Sequence, residues 1–170
     1  DLLELTIQKV RTISSQLRPS ILDHFGLVAA IDWQSKEFQR RTAIRTRFFV
    51  NPRDLTVPEN LATPIFRIFQ ESLTNISRYA KASRVDVSME IVDSNLVLKV
   101  VDNGLGIEPE KIYHKNSFGL LGMREKAKSM GGALVINNLK YKNNGYQDND
   151  EIHGTEVILS VPIKVEVKND

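Results

Sequence analysis

The chain has 170 residues, 41% hydrophobic and 26% charged, a balance that supports a real core and excludes a disordered or fibrous chain. Its 23 basic and 21 acidic residues leave a net charge of +2, too even to make nucleic acid or a membrane surface the default partner. It has no cysteine, which excludes disulfides and thiolate metal sites, and it contains neither a signal-peptide pattern nor an apolar run of about 18 residues.

DLLELTIQKVRTISSQL (1–17) spaces Leu2, Leu3, Ile7, Val10, Ile13 and Leu17 near the helical period and begins without a cap. It reads as the end of an amphipathic helix begun further upstream. Arg18-Pro19-Ser20 ends or kinks it, because the residue before a proline is steered out of the α region. A second helical pattern covers about 21–41, and IRTRFFV (44–50) alternates imperfectly before Asn51-Pro52 as a strand. VPEN (57–60) opens a long helix, in which either Thr63 caps a start at Pro64 or Pro64 lies in the first turn. RVDVSMEIV (84–92) and NLVLKVVD (95–102) alternate around Asp93-Ser94 as a hairpin. After a loop over 103–117, a helix from about Leu120 to Met130 stops at Gly131-Gly132, and ALVINNL and TEVILSVP are the last strands. Between these strands KYKNNGYQDNDEIHG (140–154) has nothing to bury and is expected to be a mobile hairpin tip or partly disordered. The order predicts one sheet covered on one face by helices.

Four stretches carry candidate chemistry. In the long helix, at about 100° per residue, Leu61, Ile65, Ile68, Ser72, Ile76 and Tyr79 share one arc. Arg67, Glu71, Asn75 and Arg78 line its edge, where a side chain is half desolvated and still reaches a ligand. A carboxylate and an amide one turn apart can hold a hydrated magnesium ion, and Arg78 can meet a phosphate; an exposed polar strip with a Glu–Arg pair explains the same residues. VVDNGLGI (100–107) ends an apolar strand in Asp102, followed by Gly104 and Gly106. An aspartate there can accept from an exocyclic amine such as that of adenine, although Asn-Gly is also a common hairpin turn. No Gly-Lys-Ser/Thr follows, so this is not a P-loop.

SFGLLGMREK (117–126) sets Gly119 and Gly122 where a helix starts, which suits a phosphate cradle or a flexible helix boundary. Gly154-Thr155 opens a strand or forms a tight turn. His24, His114 and His153 lie far apart with no cysteine beside them, so the sequence shows no metal cluster, and it has no serine-hydrolase elbow and no CxxC.

In order, Glu71…Asn75, Asp102-x-Gly104-x-Gly106, Gly119-Leu120-x-Gly122-Met123 and Gly154-Thr155 resemble the N, G1 and G2 boxes and terminal Gly-Thr of one ATP-binding domain. It is the domain shared by histidine kinases, DNA gyrase, the heat-shock chaperone ATPase and the mismatch-repair ATPase, and the match covers roughly residues 40 to 162. Leu17-Arg18-Pro19, Leu22, Gly26-Leu27 and Ala30-Ile31 look like the junction between dimerisation helix and catalytic domain in sensor histidine kinases. Gln70–Asn75 and Gly119–Glu125 are similar to the subfamily whose response regulators have helix-turn-helix outputs.

The resemblance implies an α/β two-layer sandwich of the Bergerat type, a mixed sheet with helices on one face. It implies a dimerisation-helix remnant over 1–18, a junction and connecting helix over 19–40, and an ATP-binding catalytic domain over 41–170. ATP and magnesium are the implied ligands. Asn75 would ligate the metal, and Glu71 would activate the attacking group or tune the metal site. Asp102 would read the adenine amine, and Gly104 and Gly106 would shape the pocket floor. Gly119, Leu120 and Gly122 would belong to the closing lid, Thr155 would sit by the adenine through a water, and Arg78 would touch phosphate.

The implied reaction moves the ATP γ-phosphoryl to a histidine on an upstream dimerisation helix, and then to a response regulator. The phosphoacceptor is expected outside this chain, and His24, which follows the junction, is not nominated for it. A homodimer, a cytoplasmic location, and membrane contact only through regions outside the chain are implied with it. The subfamily usually has histidine where this chain has Tyr79, and glycine where it has Ser117. Two other readings stay open: an ATPase in which Glu71 activates water, and a nucleotide-sensing module without turnover.

Overall fold

The computed structural model describes residues 20–108, 110, 118–142 and 151–163. The expected helix over 1–18, the Arg18-Pro19 break, His114, Ser117 and the segment 143–150 lie outside them.

Helix α1, Ser20–Thr42, is two helices in series, because Gly26 sits at φ 79, ψ −179 between them. That combination is essentially restricted to glycine. The second part buries Leu27, Ala30, Ile31 and Phe38 against the rest of the domain. Strand β1, Arg45–Asn51, follows. Helix α2, Glu59–Asn75, crosses back so that β2, Arg84–Val92, pairs parallel to β1, from Arg45 opposite Arg84 to Asn51 opposite Glu90. A parallel pair needs such a crossover, whereas β2 and β3, Asn95–Asp102, need only a two-residue turn. Asp93 and Ser94 take positive φ at 47° and 62°, the hairpin geometry whose twist matches the strands.

Helix α3, Phe118–Ser129, ends at Gly131 (φ 71), where the Gly131 and Gly132 N–H groups return to the Lys128 and Ala127 carbonyls at 3.0 and 2.9 Å. This is the paired-bond stop that the Gly-Gly predicts. Strands β4, Ala133–Lys142, and β5, Glu151–Pro162, complete an antiparallel set in which β5 inserts between β3 and β4, giving the order β1-β2-β3-β5-β4.

The sheet is therefore mixed, as expected, and its two faces differ. Val85, Val87 and Met89 alternate inward with Leu98, Val100 and Leu159, and α1, α2 and α3 cover that face in one core. The other face is polar and solvated: Arg47 and Arg84 both reach Asp86, at 2.7 and 3.1 Å, and Lys99 reaches Glu156 at 3.1 Å.

Three expectations shift. The long helix starts at Glu59 after an extended Pro58, so Pro64 stands in its second turn with neither Thr63 as cap nor a first-turn place. Its missing N–H costs only the bond to the Asn60 carbonyl. Beyond Asn75 the helix widens into a π turn, Ile76–Ala80, closed by Lys81 in the left-handed region at φ 51. The wider turn breaks the α phase, and Tyr79, placed in the apolar arc by spacing, is exposed. In the Asn-rich stretch, backbone pairing continues from Lys140 opposite His153 to Lys142 opposite Glu151, so both flanks of the expected loose tip are strand.

Candidate functional site

The site is built where β3 ends and β5 passes beside it. Asp102 is the last residue of β3 and lies opposite Val85 on the helix-covered face, so its carboxylate enters the core and is only 3% exposed. Oδ1 accepts the Gly104 N–H at 2.8 Å, and Thr155 donates both its N–H and its hydroxyl. Burial raises the Asp102 pKa above the usual aspartate value, and these hydrogen bonds only partly offset it. A carboxylate offers about four lone-pair sites. Three donors occupy it, which leaves room for one more, such as the amine of an adenine.

Thr155 is itself buried. Its neighbour Gly154 lies inside β5, opposite Leu139, and not in a turn. A Cβ on Gly154 would run into the Asp102 carbonyl oxygen, so the glycine is what allows β5 to press against the end of β3.

Loop 103–107 lies across the sheet end above Asp102 and is fastened at three points. On one side the Asn103 side chain accepts from the Ser83 and Arg84 N–H groups, at 3.0 and 2.8 Å, and donates to the Ser83 hydroxyl at 2.9 Å. In the middle the Leu105 N–H donates to the Ala80 carbonyl at 2.8 Å, at the end of the π turn. Gly104 permits that approach, since a Cβ there would collide with the same carbonyl. On the far side Asn138 of β4 binds Ile107, and Gly106 turns the chain at φ 79.

Glu71 and Asn75 sit half-buried one turn apart on α2, and Arg78 is exposed on the π turn. Gly119, at the start of α3, lies so close to Glu71 that a Cβ would overlap the carboxylate oxygen Oε1. Leu120 packs on the core. At Gly122 a Cβ would make only ordinary contact, 3.6 Å from Lys126 Nζ, so its glycine has no steric reason in this arrangement.

The sequence-derived residues thus fall into two groups. Asp102, Gly104, Gly106 and Thr155 form one, and Glu71 with Gly119 and neighbouring Asn75 and Arg78 forms the other. The Ala80–Leu105 bond joins the helix of the second group to the loop of the first. Sequence reasoning missed Asn103, Asn138 and the Ala80 carbonyl as parts of the site. Asn138 left one trace, an Asn-Asn pair inside an otherwise apolar strand pattern, where asparagine is disfavoured.

Among the described residues no group of three His, Cys, Asp or Glu side chains could hold a metal ion. Any ion here needs other oxygens beside Asn75. No helix of the described residues is long and apolar enough to cross a membrane. A concavity of about 380 Å³ lined by Phe49, Ser88, Lys99 and Val101 lies on the opposite, bare face of the sheet, away from Asp102.

The model of the family described as histidine kinase-, DNA gyrase B-, and HSP90-like ATPase matches residues 60–165. The chain is 32% identical over 157 residues to the oxygen sensor histidine kinase NreB of Staphylococcus carnosus, covering 92% of this chain and 42% of the relative. It is 33% identical over 161 residues to the signal transduction histidine-protein kinase/phosphatase DegS of Brevibacillus brevis, covering 95% and 39%. The chain therefore spans about two fifths of the length of these relatives.

Among solved structures, the histidine kinase domain of the blue-light activated histidine kinase EL346 of Erythrobacter litoralis matches with TM-score 0.58 and 19% identity, over 80% of this chain and 64% of that one. The histidine kinase AdeS of Acinetobacter baumannii matches with TM-score 0.59 and 16% identity, over 95% and 83%. These likenesses establish the same α/β fold. With more than half of the chain matched by the family model, including every site residue named above, the chain belongs to the family of histidine kinase-, DNA gyrase B- and HSP90-like ATPases.

Proposed function

We propose that this chain is the ATP-binding catalytic domain of a sensor histidine kinase that phosphorylates a histidine on a dimerisation helix. The observation that carries the reading is Asp102: a buried carboxylate, under a glycine loop, with one acceptor position left. In this reading residues 1–18 are the end of the dimerisation helix, 19–40 the junction and 41–170 the catalytic domain. The sensor kinases among the relatives favour phosphotransfer over ATP hydrolysis.

Asp102 accepts the exocyclic amine of adenine and Thr155 fixes the carboxylate that does so, with a water between Thr155 and the base. Gly104 and Gly106 give the ring a floor without side chains. Gly119, Leu120 and Gly122, at the start of α3, cover the phosphates, whose charge suits a helix N-terminus. Arg78 reaches the phosphates from the π turn.

The Asn75 amide oxygen fits a magnesium ion that takes its remaining ligands from phosphate and water, as this ion usually does. Bound there, magnesium would neutralise phosphate charge. Glu71 accepts a hydrogen bond from the incoming imidazole and orients it. The attacking nitrogen forms the new N–P bond as the bond from γ-phosphorus to its bridging oxygen breaks, and ADP leaves. Positioning and charge neutralisation supply most of the catalysis. The phosphoryl group then passes to an aspartate of a response regulator with a helix-turn-helix output, and the parent protein is a cytoplasmic-facing homodimer.

The test separates the two groups of residues. Asp102→Asn should abolish ATP binding measured by calorimetry, whereas Glu71→Gln should bind within a few-fold of the parent and lose phosphotransfer. If both variants bind and transfer normally, the roles are wrong.

A further inference from the structure

Asn138 belongs to none of the sequence motifs, yet its side-chain amide pairs with both backbone groups of a loop residue. It stands on β4 as the direct cross-strand partner of Thr155, the residue that fixes the Asp102 carboxylate. Its Oδ1 accepts the Ile107 N–H at 2.7 Å and its Nδ2 donates to the Ile107 carbonyl, so one amide satisfies both backbone groups of one residue. That pattern extends the sheet ladder with a side chain where no strand is available. The same oxygen lies 3.0 Å from where a Cβ on Gly106 would stand, so the clip and the positive φ of Gly106 act on one turn of the loop.

We propose that Asn138 is a positioning residue of the nucleotide pocket, holding loop 103–107 at the height that leaves room for an adenine ring above Asp102. The inference rests on the nucleotide reading above. Asn103 anchors the loop to the β2 side and Ala80 anchors its middle, so without Asn138 the loop keeps two anchors and loses the third. The loop then frays from Gly106 onward, and the pocket samples closed or open shapes that an adenine cannot use. Because Asn138 and Thr155 share one register pair, the β4–β5 ladder delivers both fixings together, and a one-residue slip would remove both.

The experiment compares the 170-residue chain with its Asn138→Ala and Asn138→Asp variants, by ADP titration calorimetry and by hydrogen exchange at the Leu105 and Ile107 amides. The parent chain should bind ADP. Asn138→Ala should weaken ADP about tenfold, or about 1.4 kcal/mol, with faster exchange at Ile107 and unchanged exchange at Leu105. Asn138→Asp keeps the acceptor for the Ile107 N–H and loses the donor, and should fall between the two. With the parent kinase, Asn138→Ala should raise KM for ATP and leave kcat near its original value. ADP affinity within twofold of the parent in both variants would overturn the proposal while leaving the nucleotide reading intact. Loss of folding in both would overturn it as well, since Asn138 would then hold the domain and not the loop. A parent chain that binds no ADP at millimolar concentration defeats the nucleotide reading itself.

Discussion

At the scale of single residues, the site works by burying one charge and removing side chains around it. Burial raises the Asp102 pKa because it penalises the anion. A carboxyl group raised on folding contributes stability that is full below its unfolded pKa and is lost as pH rises through its folded pKa. In the proposed reading nucleotide binding runs the other way, because the adenine amine would need the ionised acceptor. ATP affinity should therefore fall on acidification at a pH above the ordinary aspartate range, while the free domain gains stability from this group over the same window. Calorimetric titrations across that window check the first effect, and affinity constant down to the ordinary aspartate pKa would disprove it. Gly104 makes the complementary point. Replacing it by alanine drives a methyl group into the Ala80 carbonyl, an overpacking that costs about 1–3 kcal/mol. Gly104→Ala should break the Leu105–Ala80 bond and lower both ATP affinity and Tm.

At the scale of elements, helix α1 carries an instructive flaw. Ser35 is 3% exposed and its hydroxyl has no hydrogen-bond partner. An unsatisfied buried hydroxyl costs about 1–3 kcal/mol, and alanine is the better helix former. Ser35→Ala should raise Tm by about 2–4 °C in thermal melts with ADP affinity unchanged. The elements also differ in how readable they are. Strands β2 and β3 were legible to the residue, because burial on one face imposes a strict alternation from Val85 to Val100 and Asp93-Ser94 divides them. The π turn was not, since an i→i+5 turn keeps no period of its own and the arc through Tyr79 assumed α geometry. Asp102, Gly104 and Thr155 were legible as a motif series, whereas Asn138 gains its role only from the tertiary register that sets β4 beside Thr155. A contact 31 residues distant in the chain, between Asn138 and Ile107, leaves almost no local pattern to read.

At the scale of the whole molecule, the division of the sheet into two faces explains where chemistry can occur. The solvated face spends its charges on pairs such as Arg47–Asp86 and Lys99–Glu156, which are worth little to stability. The covered face ends in the Asp102 group, where helix, loop and sheet end meet around one site. The domain brings a nucleotide pocket, but the nucleophile in the proposed reaction must come from another element and reach the γ-phosphate in line. The 170-residue chain incubated with γ-labelled ATP should therefore acquire no acid-labile label. Adding a separately made dimerisation domain of the parent kinase should transfer label to a histidine of that domain, and Glu71→Gln should suppress the transfer while still binding ATP. Stable labelling of His24 in the chain alone would show that the acceptor had been misplaced. Release of inorganic phosphate without transfer, at an equal rate with and without the dimerisation domain, would instead make water the acceptor and the domain a hydrolase.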